Sequence, residues 1–229
     1  MTVRPLVLLF DIDGTLISTG GAGNRAIHRA FAEVHGRADA CAHFKFGGMT
    51  DRAIAREGLR TIGKSDSADD IEAVLAVYVR LLAEELKTTE GHRVHAGIHA
   101  ALAAAEARER CAIGLGTGNV EAGARAKLTP VSLHHRFAFG GFGSDHEDRA
   151  QLIAIGQARG AERLGLPLRA VRTVVIGDTP KDVSAAHANG AFALAVATGG
   201  FSVDELRATG ADLVVPDLNA AGALAALLA

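Results

Sequence analysis

Two aspartates one residue apart, Asp11 and Asp13, close an unbroken apolar run from Leu6 to Phe10, and Gly14 follows at once. Side chains of an extended segment repeat every second residue, so the two carboxylates share a side. Held that close they repel each other, unless a cation lies nearby or one of them carries a proton. Two further apolar runs stop in polar loops: Cys111 to Leu115 at Gly116-Thr117-Gly118-Asn119, and Arg172 to Ile176 at Gly177-Asp178-Thr179-Pro180-Lys181-Asp182. Several carboxylates with few histidine or cysteine companions favour a hard, oxygen-seeking cation, Mg2+ above all, which keeps several waters and pairs with phosphate. A carboxylate beside such an ion can attack a phosphoryl group, splitting one hard displacement into two easier ones. The second carboxyl, two residues on, is suited to protonate the leaving oxygen and then to take a proton from water. The Thr117 hydroxyl and the loop amides around Gly118 and Asn119 are suited to hold the transferring oxygens. Gly14 allows a sharp turn, which the Thr15 hydroxyl is expected to cap.

For these groups to meet, the strands that carry them must lie side by side and run the same way. An apolar run without alternation reads as a strand buried on both faces, and in open α/β sheets the crevice lies beyond the carboxyl ends of the strands. From residue 96 helix and strand alternate: helices at 97–109, 120–128 and 148–164, strands at 111–115, 137–142, 172–176, 192–197 and 212–215, a helix with Pro180 in its first turn, a helix at 203–209 and a terminal Ala/Leu helix. Such βα alternation predicts an α/β fold with a Rossmann-like parallel sheet. Before it the pattern is helical only. Ala26, Ile27, Ala30, Phe31 and Val34 recur at helical spacing until Gly36; a second helix starts near Thr50; and Ile71, Val74, Leu75, Tyr78, Leu81 and Leu82 form one apolar face. Residues 17–23 read as a flexible hinge, and Ser144 with Glu147 as a helix-capping box. The expected division is a core of residues 1–16 and 93–229 with an inserted helical cap of residues 17–92.

Composition narrows the partners. The 229 residues are 48% hydrophobic and 22% charged, with 24 basic against 26 acidic side chains and only 4% aromatics. That leaves no polybasic footprint and few stacking platforms, so nucleic acid is not an expected partner. No apolar stretch approaches the length that spans a bilayer, and Cys41 and Cys111 show no metal or redox spacing. The expectation is a cytoplasmic enzyme of a small phosphorylated metabolite, as a monomer or small homo-oligomer.

Asp11-Ile12-Asp13-Gly14-Thr15, Thr117 and Gly177 to Asp182 together resemble the first, second and fourth motifs of the haloacid dehalogenase superfamily. The helical insert is similar to the cap of its phosphoglycolate phosphatase and β-phosphoglucomutase branch. The resemblance implies Asp11 as nucleophile and metal ligand and Asp13 as acid/base and ligand through its backbone carbonyl. It further implies Asp178 as a ligand, with Asp182 auxiliary. True dehalogenases of the superfamily lack the second aspartate, so Asp13 points to phosphoryl transfer. One departure stands out: the third motif usually supplies a lysine, and none lies between Lys127 and Lys181. Arg149 is the first substitute, ahead of Arg136 and Lys181. From the cap, polarity and loop placement nominate Asn24, His28, Lys45 and Arg52 to face the substrate. The implied activity is a Mg2+-dependent phosphatase acting on a small phosphomonoester, phosphoglycolate- or sugar-phosphate-like, through an aspartyl phosphate. A phosphomutase with the same intermediate and a non-catalytic phospho-ligand binder are the alternatives.

Overall fold

The computed structural model describes residues 4–229. In chain order its elements are β1 (Leu6–Phe10), β2 (Ile17–Thr19), α1 (Ala22–His35), α2 (Asp51–Thr61), α3 (Ala68–Thr88), β3 (His92–Val94), α4 (Ile98–Glu106), β4 (Cys111–Thr117) and α5 (Glu121–Leu128), then β5 (Gly140–Phe142), α6 (Arg149–Arg163), β6 (Arg172–Gly177), α7 (Pro180–Ala188), β7 (Phe192–Val196), α8 (Val203–Arg207), β8 (Leu213–Val215) and α9 (Ala223–Leu228). Six strands form one parallel sheet in the order β5-β4-β1-β6-β7-β8, so the apolar run at Leu6 to Phe10 sits inside it.

Every residue of β1 is buried, and the pleat divides them. Leu6, Leu8 and Phe10 pack with Ile98, Leu102 and Leu227 on one face, while Val7 and Leu9 pack with Leu152, Ile153 and Val183 on the other. Each such side chain contributes about 1.5–3 kcal/mol by leaving water. The strand therefore resists displacement, and Asp11 at its end inherits that rigidity.

α1, α2 and α3 enclose an apolar cluster of their own, centred on Ile27, Phe31, Leu59, Ile71 and Leu82. Their starts and stops follow local chemistry: Thr50 accepts the Ala53 N–H, Ser67 accepts the Asp70 N–H, and α1 ends at Gly36 with φ 68°. No described helix is long and apolar enough to cross a membrane.

Three local expectations need correction. Residues 17–19 are not hinge but β2, antiparallel to β3, with Ile17 opposite Val94 and Thr19 opposite His92; the two chain segments leading into α1 and out of α3 satisfy each other's backbone groups. The Ser144–Glu147 capping box does not form. Asp148 caps α6 by accepting the Ala150 and Gln151 N–H groups, Ser144 accepts the Glu121 N–H, and Glu147 pairs with Arg56. Thr15 does not cap its turn either: its hydroxyl donates to Asp178 Oδ1 at 3.1 Å.

Candidate active site

β1, β4 and β6 end on one edge of the sheet and bring the three polar loops together. Asp11 continues the β1 ladder by donating its N–H to the Ile176 carbonyl at 2.9 Å, and is only 6% exposed. Gly14 turns the chain with φ +79°, and a Cβ there would lie 2.3 Å from Asp178 Oδ2, so the close passage requires glycine. At the end of β6, Thr179 and Asp182 form the capping box of α7: Asp182 Oδ2 accepts the Thr179 N–H at 3.0 Å and its hydroxyl at 2.7 Å. Asp182 Oδ1 is left for the cleft, where Arg149 Nη2 approaches it at 2.5 Å.

Carboxylate oxygens of Asp11, Asp178 and Asp182 lie within 4.8 Å of one another. Burial lifts the Asp11 carboxyl to about 6 despite the opposing pull of Arg149. It lifts Asp178 to about 8, with the Asp11 and Asp182 charges adding to the effect. Three buried carboxylates face one guanidinium here, and Asp182 Oδ1 makes no well-directed hydrogen bond. An excess of negative charge on oxygen-only donors fits a hard divalent cation.

Arg149, the first residue of α6, reaches Asp11 Oδ2 at 2.9 Å with both side chains buried. Of the proposed substitutes for the third-motif lysine it is the one beside Asp11. Arg136 pairs instead with Glu106, and Lys181 is exposed.

Asp13 has different neighbours. Its Oδ2 accepts from Lys127 Nζ at 2.6 Å and Asn119 Nδ2 at 2.9 Å, and Asn119 Oδ1 in turn accepts from Lys127 Nζ at 2.6 Å. Burial opposes the Asp13 charge, but Lys127, helped by Asn119 and Arg149, outweighs it and holds the carboxyl below its usual range. Thr117 is fully buried; its Oγ1 accepts the Asn119 N–H and side-chain amide, so it braces the loop from beneath while Gly118 and Asn119 line the cleft.

Lys127 was missed by reading strand ends alone. It lies on α5, on the same buried stripe as Gly123, Ala124 and Leu128, and a lysine on the apolar stripe of a helix is the signal that marks it. Asp51, at the first position of α2, was also missed: its N–H donates to the Gly118 carbonyl at 2.8 Å and its Oδ2 accepts the Val120 N–H at 2.9 Å.

Asn24, Ile27, Phe46, Met49, Ile54 and Tyr78 close over the cleft from the cap side, leaving a volume of about 290 Å³. Of the cap residues nominated by polarity only Asn24 is among them. His28 turns Nδ1 to the Ala38 carbonyl at 2.6 Å, Lys45 is exposed, and Arg52 pairs with Glu72. Polar cap side chains found water or one another, and the cleft is roofed largely by apolar groups.

The family model of haloacid dehalogenase-like hydrolases matches residues 6–190. Phosphoglycolate phosphatase of Rhodospirillum rubrum is 30% identical over 229 residues, which covers 95% of this chain and 90% of that relative. CbbY from Rhodobacter sphaeroides, solved in complex with phosphate, superposes with a TM-score of 0.73 at 18% identity and 99% coverage of both chains. A candidate β-phosphoglucomutase from Thermotoga maritima gives a TM-score of 0.59 at 22% identity, covering 97% of this chain and 98% of its own. Those two solved structures share the fold; the family match takes in the three strand ends whose polar loops form the cleft, and by it this chain belongs to the haloacid dehalogenase-like hydrolases.

Proposed function

We propose that this hydrolase is a Mg2+-dependent phosphatase of small phosphomonoesters, phosphoglycolate- or sugar-phosphate-like, working through an aspartyl phosphate on Asp11. The observation that carries the reading is the contrast between two carboxylates on one turn: Asp11 is buried against Arg149 and the acidic cluster, whereas Asp13 faces the cleft. A nucleophile gains from a dry, cation-lined setting, and an acid/base needs access to the leaving group and then to water.

Asp11, Asp178 and Asp182, with the Asp13 backbone carbonyl, would hold Mg2+, which when bound offsets the repulsion between carboxylate and phosphate dianion. An Asp11 carboxylate oxygen bonds to phosphorus as the ester P–O bond breaks, and the departing oxygen takes a proton by way of Asp13, which is ionised in the free protein and first receives that proton from the monoanionic phosphate of the entering ester. Asp13 then takes a proton from water, whose oxygen bonds to phosphorus and releases inorganic phosphate from Asp11. Arg149, 2.9 Å from Asp11, takes up charge on the transferring phosphoryl oxygens, as does the Gly118 N–H. The cap, residues 17–92, excludes bulk water, and a cleft of about 290 Å³ suits a small ester. The relative named for phosphoglycolate supports the same size class.

Phosphate release is the test, run over phosphoglycolate, sugar phosphates and nucleoside monophosphates with Mg2+ and with EDTA. Release is expected with Mg2+ and not with EDTA, and Asp11→Asn is expected to lower it by about 10⁴-fold or more. Isomerisation of a sugar phosphate without release would identify a phosphomutase, and binding without any turnover a phospho-ligand binder.

A further inference from the structure

Lys127 is a buried cation that the mechanism above leaves unused. Its side chain is 5% exposed, while that of its ion-pair partner Asp13 is 44% exposed. Sinking an ammonium into a protein costs several kcal/mol, and here burial is outweighed by the nearby Asp13 and Asp51 carboxylates, which hold Lys127 charged, above the usual lysine range. Lys127 and the Asp13 carboxylate thus form a unit, on a face of α5 otherwise made of Gly123, Ala124 and Leu128. What the lysine does achieve is geometric. Together with Asn119 it closes a three-membered ring of hydrogen bonds: Lys127 to Asp13 Oδ2, Lys127 to Asn119 Oδ1, and Asn119 Nδ2 to the same Asp13 oxygen, at 2.6, 2.6 and 2.9 Å. Asn119 is anchored in turn on Thr117 at 2.9 Å. One Asp13 oxygen is thus fixed from two directions, and no hydrogen bond from another described side chain holds Oδ1.

The groups around the ammonium come from both sides of the cleft. Asp13 and Asn119 belong to the core; from the cap, the Tyr78 hydroxyl and Asp51 stand in its field, and α1 passes so close that a Cβ on Gly23 would lie 3.5 Å from Nζ. Lys127 is thereby confined to one position.

We propose that Lys127 is a positioning residue: by clamping Oδ2 it aims the other carboxyl oxygen of Asp13 at the leaving-group oxygen. The assignment rests on the phosphatase reading and deepens it. Arg149 serves the phosphoryl half of the reaction and Lys127 the leaving-group half, each cation through a different aspartate.

The leaving group supplies the test. An alkyl phosphate expels a strongly basic alkoxide and needs the proton from Asp13, whereas p-nitrophenyl phosphate expels a stable phenolate and does not. Lys127→Met is expected to lower kcat/KM for an alkyl phosphate such as phosphoglycolate by about 10²-fold, mostly in kcat, and that for p-nitrophenyl phosphate by no more than about threefold. The aryl kcat/KM, which ends at departure of the phenolate before Asp13 is needed as a base, is also the control for folding, and Lys127→Gln, which keeps a donor toward Asn119, is the second variant to carry it. In an Asp13→Asn background Lys127→Met is expected to add nothing further. Equal losses on both esters, additive effects with Asp13→Asn, or loss of the aryl activity in both variants would overturn the assignment while leaving the phosphatase reading in place. A wild type that hydrolyses neither ester overturns both.

Discussion

Asp11 and Asp13 are two residues apart, yet they sit in opposite electrostatic settings. Around Asp11 burial dominates: two more carboxylates crowd it, one guanidinium opposes them, and the carboxyl is lifted to about 6. Around Asp13 the Lys127 ammonium and the Asn119 amide outweigh burial and the carboxyl is lowered. The inner half of the cleft thus carries surplus negative charge, which the proposed divalent cation would offset. The outer half has its own cation within the protein. A single strand end can present both settings because alternate residues of one turn are served by different elements, Asp11 by α6 and Asp13 by α5.

The comparison can be broken at the inner half most severely. Arg149→Met leaves Asp11 and Asp182 without their cation, and kcat is expected to fall by about 10²–10³-fold, with Arg149→Lys recovering part of the loss. Steady-state phosphate release measures it. If the loss proved no larger than a few-fold, the phosphoryl charge would have to be met elsewhere.

A second test uses pH without any mutation. In EDTA the folded protein keeps protons on Asp11 and Asp178 at pH values where the unfolded chain has lost them, because their carboxyls are raised from 3.8 to about 6 and about 8. The unfolded state then binds fewer protons, so stability is greatest below about pH 4 as far as these groups are concerned and falls as pH rises through 6 toward 8. Asp13, lowered from 3.8, acts in the opposite sense, and its contribution is lost only in more acidic solution. Urea unfolding in EDTA is expected to show a decline on the order of 5 kcal/mol between pH 5 and pH 8. Added Mg2+ is expected to flatten that decline, since it stabilises the ionised cluster.

The smallest effect is expected at the seam between cap and core. Arg56 bonds Glu147 at 3.0 Å, and both side chains are 30% exposed. Arg56→Ala is expected to cost no more than about 1 kcal/mol in thermal unfolding and to raise KM roughly twofold with kcat unchanged.

How far the sequence discloses this arrangement differs between the two halves. The inner half is written in strand ends: an apolar run that stops at an aspartate identifies both the strand and the edge where its polar loop meets the others, which is how Asp11 and Asp178 come to be named from the sequence; Thr117 was named by the same route, but its hydroxyl is turned to Asn119 rather than to the cleft. Arg149 was reachable because it opens the helix that follows β5. The outer half depends on how α5 docks beneath the cap. Lys127 shares a short helix with Arg125, and only its place on the stripe of Gly123, Ala124 and Leu128, not its residue type, marks it as the buried cation. The β2–β3 ladder was hidden for a different reason: three residues on each side are too few to display alternation, and their partners lie far apart in the chain. Lys45 and Arg52 do not line the cleft because polarity does not give direction: Lys45 is exposed and Arg52 is turned to Glu72.

Trapping the covalent intermediate tests the central claim most directly. The protein would be mixed with Mg2+ and its best phosphomonoester, quenched in acid within the first turnover, and mapped by peptide mass spectrometry. The account predicts one added phosphoryl group on Asp11, labile to hydroxylamine and absent in Asp11→Asn. Sustained phosphate release with no phosphorylated Asp11, or with the phosphoryl group on another residue, would contradict it.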